Sequence, residues 1–336
     1  MGKAKPKLKA GLQKLKQQQS IQQKLEKASD AQSSAKKKRL MNRNEINVVS
    51  LKSKLEGMTE SEIGAYRAEK LKHSKIPYNA EDRILLIGEG NFSFANALCE
   101  MFHSGENIFA TAYDSKDDCI KKYGEETTKN IKNIEDMGGK VFFDIDATCL
   151  DRHKKFLFKE CQEGLYGDEI YEEFDKQAKK LKINKPSFCF DKIVFNFPHT
   201  GAGIKDQDRN ILNNQKLLLG FFKSSKTLVH PYHGELHVTV KSGLPYDLWK
   251  VTSLAKEGQI WKTKQCFPFN PLLYPGYEHR RTLGFKDGLS KGDNEELVDK
   301  FPNTYIFGFL NPNSKERGIV EQRLNPPKAR KQYKNR

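Results

Sequence analysis

ILLIGEGNFSFANAL, residues 84–98, decides how the rest of the chain is read. Four apolar residues stop at Gly88, a second glycine follows at Gly90, and from Ser93 the apolar positions fall at helical spacing. An apolar run that ends in a glycine turn and opens a helix is the start of a strand–turn–helix unit. The free backbone N–H groups of such a turn form a site for an anion or a polar ligand. Gly88 permits the turn and Gly90 lets a ligand approach the backbone. The dinucleotide fingerprint wants a third glycine at position 93, where this chain has Ser93 after Asn91 and Phe92.

Downstream the pattern repeats. Strands are expected at 83–88, 108–114, 140–146, 190–197, 234–241, 261–269 and 304–310. The stretches between the first five are long enough for helices. Strand–helix alternation predicts a mostly parallel sheet of about seven strands with helices on both faces, an α/β, Rossmann-like architecture. The last two strands have no long helix between them, which predicts a final antiparallel strand.

The strand ends carry the polar residues. Asp114 closes the second strand, 24 positions past Gly90, where a carboxylate receives a ribose diol. Asp146, followed by Ala147, closes the third, at a place suited to an adenine amino group. The alternative for either Asp is a helix cap. The fourth ends FNFPHTG, which brings Asn196, Pro198 and His199 to the crevice of Gly88–Ser93.

Charge separates the ends from the body. The chain carries a net +16, of which residues 1–45 contribute +10 and residues 327–336 contribute +5. Basic arms on a neutral body suit a polyanion such as nucleic acid. Residues 1–45 have too few apolar groups to bury a core and are expected to be a disordered basic tail. Residues 46–80 are expected to be a helical lead-in, 81–312 the Rossmann-like α/β domain with a charged helical insertion at 151–186, and 313–336 a second basic tail. The six cysteines include no CxxC pair, and HPYHGELH (230–237) is broken by Pro231 and Gly234. Neither pattern makes a zinc site, so no metal is expected. No stretch is long and apolar enough for a membrane span. YPGYEHRRT (274–282) reads either as a solvated loop or as a lip whose aromatics stack a base and whose arginines hold phosphates.

ILLIGEGNFSFANAL, TAYDS, DIDATCL, FDKIVFNFPHTG and YPGYEHRRTLGF together resemble the fungal large-subunit (25S) ribosomal RNA uridine-N3 methyltransferases over about residues 80–310. The resemblance implies a class I methyltransferase fold, S-adenosylmethionine as donor, ribosomal RNA or a pre-ribosomal particle as partner, and a nucleolar role in ribosome assembly; the chain is expected to be a monomer. Gly88, Glu89, Gly90, Asn91, Phe92 and Ser93 would then surround the methionine and ribose, Asp114 the ribose diol, Asp146 and Ala147 the adenine, and Asn196 to His199 the transferred methyl group. For the N3 proton of the uridine that the resemblance implies, His199 is the first candidate base and Asp206 the second, and a solvent water would also suffice. An NAD(P)-dependent oxidoreductase, and a catalytically inactive RNA-binding assembly factor, are the alternatives.

Overall fold

The structure, a computed structural model, describes residues 57–153, 157, 190–230, 233–282, 294, 297 and 300–310. Both basic tails, and all of the 151–186 insertion except 151–153 and 157, lie outside them.

The first described helix, α1 (Glu60–Leu71), falls in the lead-in and opens on a capping box. Glu62 accepts from the Thr59 N–H, and Thr59 Oγ1 accepts from the Glu62 N–H. Seven strands then form one sheet: β1 (Ile84–Ile87), β2 (Ile108–Thr111), β3 (Lys140–Phe142), β4 (Lys192–Asn196), β5 (Glu235–Val240), β6 (Trp261–Pro268) and β7 (Asn303–Phe309), in the order β3-β2-β1-β4-β5-β7-β6. The first five strands are parallel, and β7 runs antiparallel between β5 and β6. This is the expected Rossmann-like α/β sheet. The antiparallel strand foreseen from the short final connection is β7.

Alternation along the strands feeds two cores. Leu85, Ile87, Ile193 and Phe195 face α5 (Gln207–Ser224), whose Leu218, Phe221 and Phe222 are buried. Ile84, Leu86 and Val194 face α2 (Ser93–Phe102), with Phe94 and Leu98, and α4 (Glu125–Asp136), with Ile131 and Ile134. The stretch between β2 and β3 breaks at Gly124 into two helices, α3 (Lys116–Tyr123) and α4.

The third strand is shorter than its sequence suggests. It stops at Phe142, and Asp144 adopts φ 59°, which leaves the extended region. Asp146 therefore stands beyond the strand, at the cap of a 3₁₀ turn over Ala147–Cys149.

β1 is the switch point of the sheet. Its neighbour on one side is β2, the next strand in sequence, and on the other is β4, and the connections leave it to opposite sides. In open α/β sheets the crevice beyond the carboxyl ends at such a point is where ligands bind.

Candidate active site

A cleft of about 850 Å³ opens at that crevice, within the usual range for a small-molecule site. Its floor is the turn after β1. Gly88 has φ 68°, and a Cβ there would lie 2.8 Å from the Phe195 ring, so both conformation and space require glycine. Glu89 still donates its N–H to Thr111 O at 2.8 Å, which keeps the turn fastened to β2. Phe92, at φ 61°, is fully buried and packs against Phe143 at 5.7 Å between ring centres. It belongs to the core beneath the turn and does not line the cleft, unlike the rest of Gly88–Ser93.

Ser93 explains the broken glycine fingerprint. Its hydroxyl donates to Glu278 O at 3.0 Å and accepts from the Glu278 N–H at 3.0 Å. The segment Tyr274–Thr282 is thereby strapped over the turn. Tyr274 and Tyr277 are buried against Phe94 and Phe269. They are core residues, so of the two readings of this loop the one in which its tyrosines stack a base does not hold for them. Arg280 folds over Gly90 and pairs with Glu278 and with Glu126 of α4. Gly201, at φ 63°, meets the other end of the strap, where an added Cβ would lie 2.7 Å from Thr282.

Asp114 and Asp146 both line the cleft but differ in their duties. The cap of α3 is Ser115, which accepts from the Asp118 N–H, so Asp114 is not a helix cap. Its carboxylate accepts from Lys122 Nζ at 2.6 Å. Asp146 is a cap: one oxygen accepts from the Thr148 N–H at 2.7 Å and from its hydroxyl at 2.8 Å. Ala147 also faces the cleft, and its carbonyl is held by Ser224 Oγ at 2.7 Å.

At the end of β4, both amide atoms of Asn196 are buried without a hydrogen-bond partner. A buried amide with neither donor nor acceptor satisfied is costly unless a ligand completes it. Phe197, which follows, holds φ 50°, a strained conformation for an aromatic residue, and its N–H donates to Thr239 O at 2.7 Å. Asn214 of α5 braces the same loop by accepting from the Thr200 N–H at 3.0 Å.

His199 Nδ1 accepts from the Gly201 N–H at 2.9 Å. Burial, with help from the Lys241 charge, lowers its pKa, so the ring is neutral near pH 7. A neutral ring that accepts at Nδ1 carries its proton on Nε2. His199 therefore offers the cleft a donor rather than a base. Asp206 is exposed, caps α5 by accepting from the Arg209 N–H at 2.7 Å, and does not line the cleft, which corrects its place among the candidate bases.

The three histidines of HPYHGELH do not converge. His230 stacks on His233, whose Nε2 meets Asp191 at 2.7 Å, while His237 is buried in β5 and bonds Glu235 at 3.1 Å. Among the described residues no cluster is arranged to hold a metal ion, and no helix is long and apolar enough to cross a membrane. Sequence reasoning missed Lys122 and Tyr123 as cleft residues, and placed Glu278 and Arg280 only within one of its two readings of the 274–282 loop. For Lys122 a signal existed, since it falls two turns past Ser115 on the face of α3 that returns to Asp114.

The family described as BMT5-like, rRNA (uridine-N3-)-methyltransferase BTM5-like, matches residues 85–281. The 25S rRNA (uridine(2634)-N(3))-methyltransferase of Saccharomyces cerevisiae is 29% identical over 253 residues, covering 65% of this chain and 72% of that protein. Heavy metal-associated isoprenylated plant protein 41 of Arabidopsis thaliana is 29% identical over 208 residues, 62% of this chain but 34% of the plant protein. Among solved structures, an antibiotic-related methyltransferase covers 70% of this chain and 94% of its own, with 11% identity and a TM-score of 0.34.

Proposed function

We propose, on the premise that this chain belongs to the BMT5-like family of rRNA (uridine-N3-)-methyltransferases, that it methylates N3 of a uridine in large-subunit ribosomal RNA during ribosome assembly. Family membership makes it a methyltransferase whose donor is S-adenosylmethionine. The choice of uridine and the 25S-type substrate are part of the proposal, and the relative from Saccharomyces cerevisiae supports them; a nucleolar location is the further part, which a role in ribosome assembly would require.

Asn196 carries the reading. An unpartnered amide at the switch point, beside a glycine cradle and the Asp114 carboxylate, fits a polar ligand with a ribose. Gly88, Gly90, Asn91 and Ser93 would hold the donor's methionine and ribose, Asp114 its diol, and Ala147 with Asp146 its adenine. Asn91 adds a second sign, because its Nδ2 is also buried without a partner. When bound, the donor supplies an electrophilic methyl group on a sulfonium, so the protein's task is mainly alignment.

The target N3 lies between two carbonyls, and its proton must leave before or during attack. As it leaves, negative charge grows on those oxygens. Asn196 Nδ2 and His199 Nε2 are donors suited to receive that charge, as in other sites that stabilise an oxyanion. Proton removal then falls to water, because His199 is a donor and Asp206 stands outside the cleft. N3 sits on the pairing edge of the base, so a paired uridine must first be flipped out. The basic arms at 1–45 and 327–336 would supply phosphate contacts without choosing the site.

The test is nucleoside mass spectrometry of large-subunit ribosomal RNA incubated with the full chain and S-adenosylmethionine. Appearance of 3-methyluridine supports the proposal. RNA binding without methyl transfer would instead indicate an assembly factor.

A further inference from the structure

Glu89 is the one residue of the GxG turn whose side chain can ionise, and its surroundings do not suit an anion. Tyr78, which precedes β1, and Tyr277, on the strap, lie close enough for its charge to help raise their hydroxyl pKa, with Tyr274 next to both. One backbone N–H, that of Ala95 in the first turn of α2, donates to the Glu89 carboxylate at 3.3 Å. Among the described residues no lysine, arginine or histidine pairs with it. Two cations of the cleft wall are engaged elsewhere: Lys122 holds Asp114, and Arg280 holds Glu278 and Glu126. A desolvated carboxylate with no counter-charge is costly, and burial accordingly pushes its carboxyl up to about 7. Such a group on the wall of a ligand cleft is completed by a cationic ligand.

We propose that Glu89 anchors the α-ammonium at the amino-acid end of the donor. This rests on the reading of the cleft as the donor site. The donor carries two positive groups, and hydrogen-bonding chemistry separates them. An ammonium has three N–H donors for a carboxylate. A sulfonium has none, and a carboxylate against its methyl would compete with the substrate as nucleophile. Pairing with the ammonium also lets Glu89 stay ionised, so binding draws off its proton wherever the free carboxyl is protonated.

The experiment is calorimetric titration of the full chain and of Glu89→Gln with S-adenosylmethionine, S-adenosylhomocysteine and 5′-methylthioadenosine. The last keeps adenosine and the thioether and lacks the amino-acid end. Glu89→Gln should weaken the first two at least about ten-fold and leave methylthioadenosine within two-fold. In wild type at pH 6.5, buffers of different ionisation heat should reveal proton release on binding S-adenosylhomocysteine and none on binding methylthioadenosine. That second measurement decides the matter if the variant does not fold. Equal loss for all three ligands, or absence of proton release from wild type, overturns the Glu89 assignment and leaves the donor site standing. Failure of wild type to bind S-adenosylmethionine at all would overturn the donor site and this assignment with it.

Discussion

Ser93 and Glu278, 185 residues apart, exchange two hydrogen bonds, each 3.0 Å long. The pair joins the floor of the cleft to the strap that walls it. Ser93→Ala should cost about 1–2 kcal/mol of stability by leaving both backbone groups of Glu278 without their partner. Donor affinity should fall as the strap loosens. Urea unfolding and calorimetry check the two effects, and unchanged values for both would make the strap independent of the turn.

Asp114 should be needed for the donor. Asp114→Ala is expected to lower donor affinity by about 1.5–3 kcal/mol, the cost of losing a charged hydrogen-bond partner. Lys122→Met, which releases Asp114 from its 2.6 Å bond, should leave affinity equal or higher. Calorimetry on the two variants separates a ribose contact from a structural ion pair, because a structural pair would suffer from either change.

Asn196 and His199 should govern transfer rather than donor binding. Asn196→Ala should reduce turnover by tens-fold or more with a much smaller loss of donor affinity, since its amide is proposed to receive the charge that grows on a uracil carbonyl. His199→Gln keeps an N–H donor and should retain far more activity than His199→Ala. Both should keep the wild-type shape of the pH profile. If His199 were the base, the Gln variant would be as slow as the Ala variant, and both would recover in alkali as the uridine ionises.

Asp191 should set part of the acid limit of stability. Burial alone would raise its pKa, but hydrogen bonds from His233 and Arg83, with the Arg83 charge, hold the carboxyl well below the usual range. The folded value lies under the unfolded one, so the contribution is complete above about pH 5 and is lost as pH falls through the acid range. Asp191→Asn should cost about 2–4 kcal/mol at neutral pH and show a shallower decline between pH 5 and 3. Asp191 precedes β4 at the amino-terminal edge of the sheet, opposite the cleft, so donor affinity should not change.

The floor of the site was legible because its signals are local. Apolar alternation, the Gly88–Gly90 spacing and the carboxylates after β2 and β3 are each contained in a few residues. The wall was not, because Tyr274–Thr282 reads as a polar aromatic loop, and only packing on Phe94 and Phe269 turns its tyrosines inward. Ser93 marked a departure from the dinucleotide pattern, but its partner is too distant in sequence to infer. Asp206 was misassigned although the signal was present: an Asp directly before a long apolar-periodic helix is a cap. His199 was chosen for its ring, and its proton position depends on a backbone N–H two residues away that sequence does not display.

The place of β7 has a consequence for synthesis on the ribosome. The last strand of the sheet in sequence lies in its interior, between β5 and β6. Until residues 303–309 have been made, the buried strand β5, including Leu236, Val238 and Val240, presents an open apolar edge, and β6 has no partner. A nascent chain halted before that point would carry the complete glycine turn and Asn196 on a sheet with an unprotected side, the condition that invites pairing with other chains. Cooperative closure of the sheet thus waits for residues 303–309, and chaperone demand should peak just before they are available.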